Sequence, residues 1–359
     1  MTKSPPENMK VHIKDEENRG SNLERSLEME AARVISTPHL ITDMENYNIR
    51  LRDFSSKLDP VFKLMKITGI FYGDNSLYGN NNQQRDSLSF VRFYCVFLTL
   101  CQWILVAKTV ISLILEGFSE LLNFYTLLVY GVWYLHGAVL ACVSLVVLPK
   151  RKRLPSRLTR FITNLLQTAS DFSGITKKSV YFLIILACSY AVCNILCIIL
   201  LDIYENLSPA RFRPWNGLLP YRLLHLLFAA SVSFSWLVPF VLFCVSSAIL
   251  AGMFESLKKK TLSDPSTCIN IRLLRQDHLR LCETVALADS VFSPLLLVTL
   301  ALDIPLLCIC LYQLVRSPSS KVVFIFIDSY WCVGVISKLA IILKYGVRVN
   351  EKVIHLSKT

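Results

Sequence analysis

Residues 223–250, LLHLLFAASVSFSWLVPFVLFCVSSAIL, contain no Asp, Glu, Lys or Arg. A run of that length exceeds the roughly 18 apolar residues that mark a membrane-spanning helix. Working outward, comparable stretches occur at about 90–115, 122–148, 180–201, 291–315 and 322–345, separated by turns carrying Pro, Gly or charge. The sixth is the least apolar, because it contains Asp328, Lys338 and Lys344. The pattern predicts an all-α polytopic membrane protein with six transmembrane helices.

Composition agrees. Of 359 residues, 53% are hydrophobic and 18% charged, against about 25% charged for a soluble domain. Residues 1–90 are nearly balanced in charge, so the net +12 sits on the apolar remainder of the chain. That distribution excludes a nucleic-acid footprint on a soluble surface. Most of the 12 Cys lie inside apolar runs and read as small buried hydrophobes. They show no metal-ligand spacing, and no cofactor is expected. Residues 1–50 are polar and do not resemble a cleavable signal peptide, so insertion is expected to start from an internal span.

Lys/Arg counting sets the expected orientation. Segments 149–179 and 254–290 and the tail from Lys344 carry 18 basic residues, while the segments on the opposite side carry five. The N terminus and the even-numbered loops are therefore expected in the cytoplasm. The expected organisation is a disordered cytoplasmic tail (1–49), a pre-membrane amphipathic segment and loop (50–89), a six-span domain (90–345) and a cytoplasmic tail (346–359). The pre-membrane segment includes Leu58, Val61, Phe62 and Met65 at helical spacing, and Gly73 to Gln84 reads as a loop.

Two cytoplasmic segments carry amphipathic helices. Residues 155–172 place Leu158, Phe161, Ile162, Leu165, Leu166 and Phe172 on one face. This helix could lie on anionic lipid or pack against protein. Residues 269–289 place Ile271, Leu274, His278, Leu281 and Val285 on one face above a mixed-charge face, which favours packing.

The sequence holds no GxxxxGK[ST], HExxH or GxSxG run and no clustered His/Asp/Glu set, so an enzyme is not expected. Arg92 and Lys108, near the two ends of the first span, are explained by snorkelling or internal pairing. Asp303, Asp328 and Lys338 lie deeper, where a charge costs at least about 2.5–3.5 kcal/mol. Either a functional cavity or a structural pair would account for them. Pro305, two residues after Asp303, cannot donate to the carbonyl one turn earlier, so a bend is expected there.

The outer halves of the spans are rich in aromatics, and an interfacial belt explains those at the edges. Tyr130, Tyr134, Phe234 and Trp236 lie deeper, near the polar Asn194, His225, Ser231 and Ser233. Aromatic faces with few polar partners suit a pocket for a small organic molecule, although helix packing explains any single member. The candidate ligand-binding residues are Tyr130, Tyr134, His225, Trp236, Asp328 and Tyr330. Asn206-Leu207-Ser208 is a glycosylation sequon on the outer side, at Asn206, and is followed by Pro209.

A cytoplasmic N terminus reverses the topology of a G-protein-coupled receptor, and no DRY-like or NPxxY-like run is present. The segments LDPVFKLMKITGIFYG (58–73), RLLRQDHLRLCETVALADSVFSPLLLVTLALDIPLLCICLYQL (272–314) and KYGVRVNEKVIHLSK (344–358) together resemble the insect-type gustatory and odorant chemoreceptor superfamily. They are similar to its pre-membrane helix, its long intracellular helix with the following span, and the helix after the sixth span. The resemblance implies a plasma-membrane chemoreceptor, for instance in taste perception, that binds a small organic ligand. It further implies a ligand-gated cation channel subunit, assembled as a homo- or hetero-oligomer, a tetramer by resemblance, that meets its neighbours through helices below the bilayer. Here 269–289 and 344–356 would supply those contacts. Membrane lipid is a further expected partner, and nucleic acid is not.

The superfamily's seventh span carries a TYxxxxxQF-like pore motif. Ser329-Tyr330 lies in the sixth span, no Gln-Phe follows, and the chain reads as stopping at Thr359 before that span. The alternative function is a solute transporter or a non-conducting scaffold, motivated by the intramembrane charges.

Overall fold

The structure, a computed structural model, describes residues 56, 58–70, 84–116, 121–147, 157–168, 177–204, 219–263, 271–316 and 322–357. Among them are eight helices and no strand. We label them α1 (58–67), α2 (Gln84–Glu116), α3 (Leu121–Val147), α4 (Arg157–Thr168), α5 (Lys177–Tyr204), α6 (Leu219–Ser263), α7 (Ile271–Arg316) and α8 (Val322–Ser357). Six of them, α2, α3 and α5–α8, are long and apolar enough to cross a membrane. The protein is an all-α polytopic membrane protein. The loop at 73–84 falls almost wholly outside the described residues, as do the N-terminal 55 residues and Asn206.

The stretch 223–250 lies within α6, and α6 is the centre of the bundle. Its apolar window is 83% buried, against 28% for α5 and α7. A helix that is apolar all round belongs in the middle, whereas its neighbours keep one face for lipid. Lipid supplies no hydrophobic drive between helices, so close approach and polar contacts must hold the bundle together. A Cβ on Gly137 of α3 would stand 2.6 Å from Val232 Cγ1 of α6, so only glycine permits this spacing. Gln102 of α2 donates from Nε2 to Ser231 (2.9 Å) and Ser235 (2.7 Å) of α6. Gln313 of α7 likewise donates to Thr126 of α3 at 2.8 Å. Lys108 is buried in the bundle rather than extended toward an interface.

The pre-membrane helix α1 carries an exposed Lys63–Asp59 pair (2.7 Å) one turn apart within itself, and Tyr94 of α2 donates to the Ile67 carbonyl at 2.8 Å near its end. Leu58, Val61 and Met65 are buried, as their spacing predicts. The helix stops in a Schellman motif: Ile70 N–H donates to Met65 O (3.0 Å), and Gly69 N–H donates to Lys66 O (3.2 Å). Gly69 has φ +73°, and Met65 and Ile70 on either side of it are both fully buried. Gly69→Ala is expected to cost about 1–2 kcal/mol from the left-handed backbone, raised by the approach of Leu98 Cδ1 to within 2.6 Å of the added Cβ. A lower thermal midpoint in detergent, with insertion unchanged, would show it.

α4 resolves one open alternative. Leu158, Phe161, Ile162 and Leu165 are buried within the chain. Phe161 meets Phe292 of α7 edge-on at 5.9 Å between ring centroids, and Arg157 donates to the Ser290 carbonyl at 3.4 Å. The apolar face of α4 formed by Leu158, Phe161, Ile162 and Leu165 is thus directed at α7, not at lipid, while Phe172 lies outside the described residues.

Residues 271–289 continue without a break into the fifth span as α7, which passes through Pro294 and Pro305 as one helix. Leu281 is 1% exposed and belongs to the chain's own core. It is therefore not available for the intersubunit contact expected of it. Leu274 and Val285 are only half-buried, and Leu279 is exposed.

Candidate functional site

Two adjoining features occupy the middle of the bundle. The deeper is a charged cluster drawn from four helices: His136 of α3, Trp236 of α6, Asp303 of α7 and Lys338 of α8. Asp303 and His136 are fully buried, and Lys338 is 4% exposed. Lys338 Nζ lies 3.0 Å from Asp303 Oδ2 as an ion pair. Trp236 Nε1 donates to Asp303 Oδ1 at 3.0 Å. The Lys338 ammonium also sits over the Trp236 ring, 4.1 Å from its centroid, in a cation–π contact. His136 Nδ1 is 3.0 Å from Asp303 Oδ1, but out of line for a hydrogen bond, so its contact is electrostatic only.

The charges expected as either a cavity or a structural pair thus divide. Asp303 and Lys338 neutralise each other across α7 and α8, and Trp236 bridges them. Asp328 is buried elsewhere on α8, near Cys310 and Cys332. It has no hydrogen bond or ion pair to any other described residue.

Next to this cluster lies an aromatic chamber lined by Val129, Tyr130, Trp133, Tyr190, Asn194, Trp236, Leu306, Cys310, Trp331 and Val335. Its free volume is about 20 Å³, space for about one water. The rings hold one another in place: Tyr130 meets Trp331 edge-on at 5.5 Å, and Tyr190 lies 5.6 Å from Trp236 and stacks on Tyr330 at 5.1 Å. A chain of hydrogen bonds runs from one wall. Trp331 Nε1 donates to Asn194 Oδ1 (2.8 Å), Asn194 Nδ2 donates to Ser233 Oγ (3.0 Å), and Ser233 donates to the Ala229 carbonyl (3.1 Å).

Of the residues expected at a ligand site, Tyr130 and Trp236 line the chamber. Tyr134 stacks behind Tyr130 at 5.9 Å, and its hydroxyl is 3.0 Å from His225 Nε2, so both form a backing layer. Tyr330 stands behind Tyr190 and donates to that residue's carbonyl at 3.0 Å. Asp328 does not reach the chamber. Trp133, Tyr190, Asn194 and Trp331 were not in the expected set, nor was His136. In helices apolar on every face, periodicity carries no sign of which aromatic points inward. Only the contacts between helices bring these residues together.

The arrangement offers aromatic faces and edges and one amide already engaged, next to a paired Asp303 and Lys338. It can hold an uncharged, partly aromatic molecule once rings turn aside. Among the described residues no group of three or more metal-ligating side chains occurs.

No protein-family model matches the sequence, and no curated protein matches it. Solved structures do. The insect olfactory receptor OR5 from Machilis hrabei is similar in fold, with a TM-score of 0.63 and 15% identity, covering 85% of this chain and 83% of that one. The same receptor in complex with eugenol gives a TM-score of 0.65 and 14% identity, covering 86% and 82%. At that identity the likeness is one of fold.

Proposed function

We propose that the protein is a chemoreceptor subunit that binds an uncharged small organic molecule in the aromatic chamber between α3, α5, α6, α7 and α8. The observation that carries this reading is the chamber itself: converging aromatic rings, with the adjoining Asp303 and Lys338 charges paired to each other. The shared fold with a receptor solved in complex with eugenol supports it. A free volume of about 20 Å³, against about 300–1,000 Å³ for ordinary ligand sites, means that entry requires ring rotation. Ligand entry would displace Trp236, and with it the Asp303–Lys338 pair that ties α7 to α8. A ligand preferring the displaced arrangement would shift the population toward it. We place the receptor in the plasma membrane with a cytoplasmic N terminus, and read it as a subunit of an oligomeric ligand-gated cation channel. Two of the three intramembrane charges behind the transporter alternative, Asp303 and Lys338, are paired to each other, which weakens that alternative.

The test uses the purified chain in lipid nanodiscs, with eugenol as the probe and tryptophan fluorescence as the readout. Saturable quenching is expected. Val335→Trp fills the chamber and is expected to abolish it, while Val347→Trp, on an exposed position of the same helix, leaves it intact. Equal quenching in both variants would place the ligand elsewhere.

A further inference from the structure

A second cavity, far larger than the aromatic chamber, lies at the basic ends of the spans. It is a groove of about 850 Å³ between the start of α5, the end of α6 and the end of α8. Its chemistry is graded along the membrane axis. At the mouth stand three cations from three different helices: Lys178, Lys259 and Arg348. All three are exposed. The acid among them, Glu255, is matched by Lys352 at 3.6 Å, so it does not cancel the three. The first turn of α5 also borders the groove, adding the positive end of a 28-residue helix. One to two turns deeper along α5 the wall becomes apolar, with Phe182 and Leu183, and Phe182 is 64% exposed.

Cations at the interface and an apolar wall leading toward the hydrocarbon match an amphiphile with an anionic head. A soluble phosphate would need the first feature and not the second. Basic pockets between spans, on the side that carries the excess Lys/Arg, face the leaflet that holds the anionic lipids. We propose that this groove binds an anionic phospholipid, with its phosphates at Lys178, Lys259 and Arg348 and an acyl chain along Phe182 and Leu183. Three cations on separate helices suit a headgroup with more than one phosphate. Such a lipid would tie α5, α6 and α8 together at the membrane surface.

The purified full chain in neutral detergent is titrated with dioctanoyl phosphatidylinositol bisphosphate, dioctanoyl phosphatidylcholine and soluble inositol trisphosphate. The bisphosphate lipid is expected to bind and the choline lipid not to bind. The soluble headgroup should bind at least tenfold more weakly, because it has no chain. Lys178→Gln, Lys259→Gln and Arg348→Gln together should weaken lipid binding about a hundredfold. The charge-retaining set Lys178→Arg, Lys259→Arg and Arg348→Lys should keep binding within a few-fold and so controls for misfolding. Neutralising Arg275, Arg280 and Lys344, outside the groove lining, should leave binding unchanged. If that second set weakens binding as much as the first, the lipid is held by diffuse surface charge and the site is overturned. Equal binding of the soluble headgroup would identify a free phosphate ligand and overturn the lipid assignment. A groove set that changes oligomeric state but not lipid affinity would show that protein covers the groove, which also overturns it.

Discussion

Asp303→Ala is expected to lower the stability of the protein by about 3–5 kcal/mol, because it strands the Lys338 ammonium in the middle of the bundle. Lys338 would keep only the face of Trp236 as a partner, and the Trp236 N–H would lose its acceptor. The diagnostic result is the double replacement. Asp303→Leu with Lys338→Met removes both charges and fills their volume, and should recover most of the loss. Resistance to denaturing detergent, followed by fluorescence-detected gel filtration, would rank wild type and the double variant together, above Asp303→Ala. If Asp303→Ala proves as stable as the wild type, the pair does not hold α7 to α8. The double variant separates stability from response. It should fold and still bind a neutral ligand, yet lose whatever coupling depends on moving Trp236 against the pair.

Phe161→Ala should cost about 3–5 kcal/mol of local docking energy, the usual range for removing a buried phenyl ring. Phe161 is 1% exposed, and its ring edge is fitted against Phe292, which in turn meets Phe243 of α6 at 5.6 Å. Because α4 is a short helix attached by its apolar face, the loss should release α4 and leave the spans inserted. Limited trypsin digestion would read this directly: cleavage at Arg157 and Arg160 should rise steeply, with the α5–α8 fragment unchanged.

These two sites show what was legible beforehand. The spans could be read because hydrocarbon demands long apolar helices, and the six stretches coincide with the six membrane-length helices to within a few residues, apart from the extended ends of α6–α8. The face of α4 could be read because Leu158, Phe161, Ile162 and Leu165 recur at helical spacing against a polar background. What it faces could not, since lipid and protein ask the same of that face. Asp303 and Lys338 stood out by their cost in hydrocarbon, but their pairing depends on the rotation of α7 against α8. His136 gave no sign at all, for an isolated His in an apolar run has no partner in its own helix. Asp328 also stood out as an intramembrane charge, but it and Tyr330, two residues on, point about 200° apart on the helix.

The lengths of α6, α7 and α8 have a mechanical consequence. At 46 residues, α7 is about 70 Å long, more than twice the roughly 30 Å of hydrocarbon. Asp303 lies 32 residues from its Ile271 end, about 48 Å away. The helix is thus a lever whose fulcrum is the charged cluster and whose long arm reaches past the membrane. A tilt of about 5° at Asp303 sweeps the Ile271 end through about 4 Å, roughly three quarters of a helical turn. On the proposed reading, a turned Trp236 ring at the cluster would be amplified into a displacement of several ångströms at the Ile271 end.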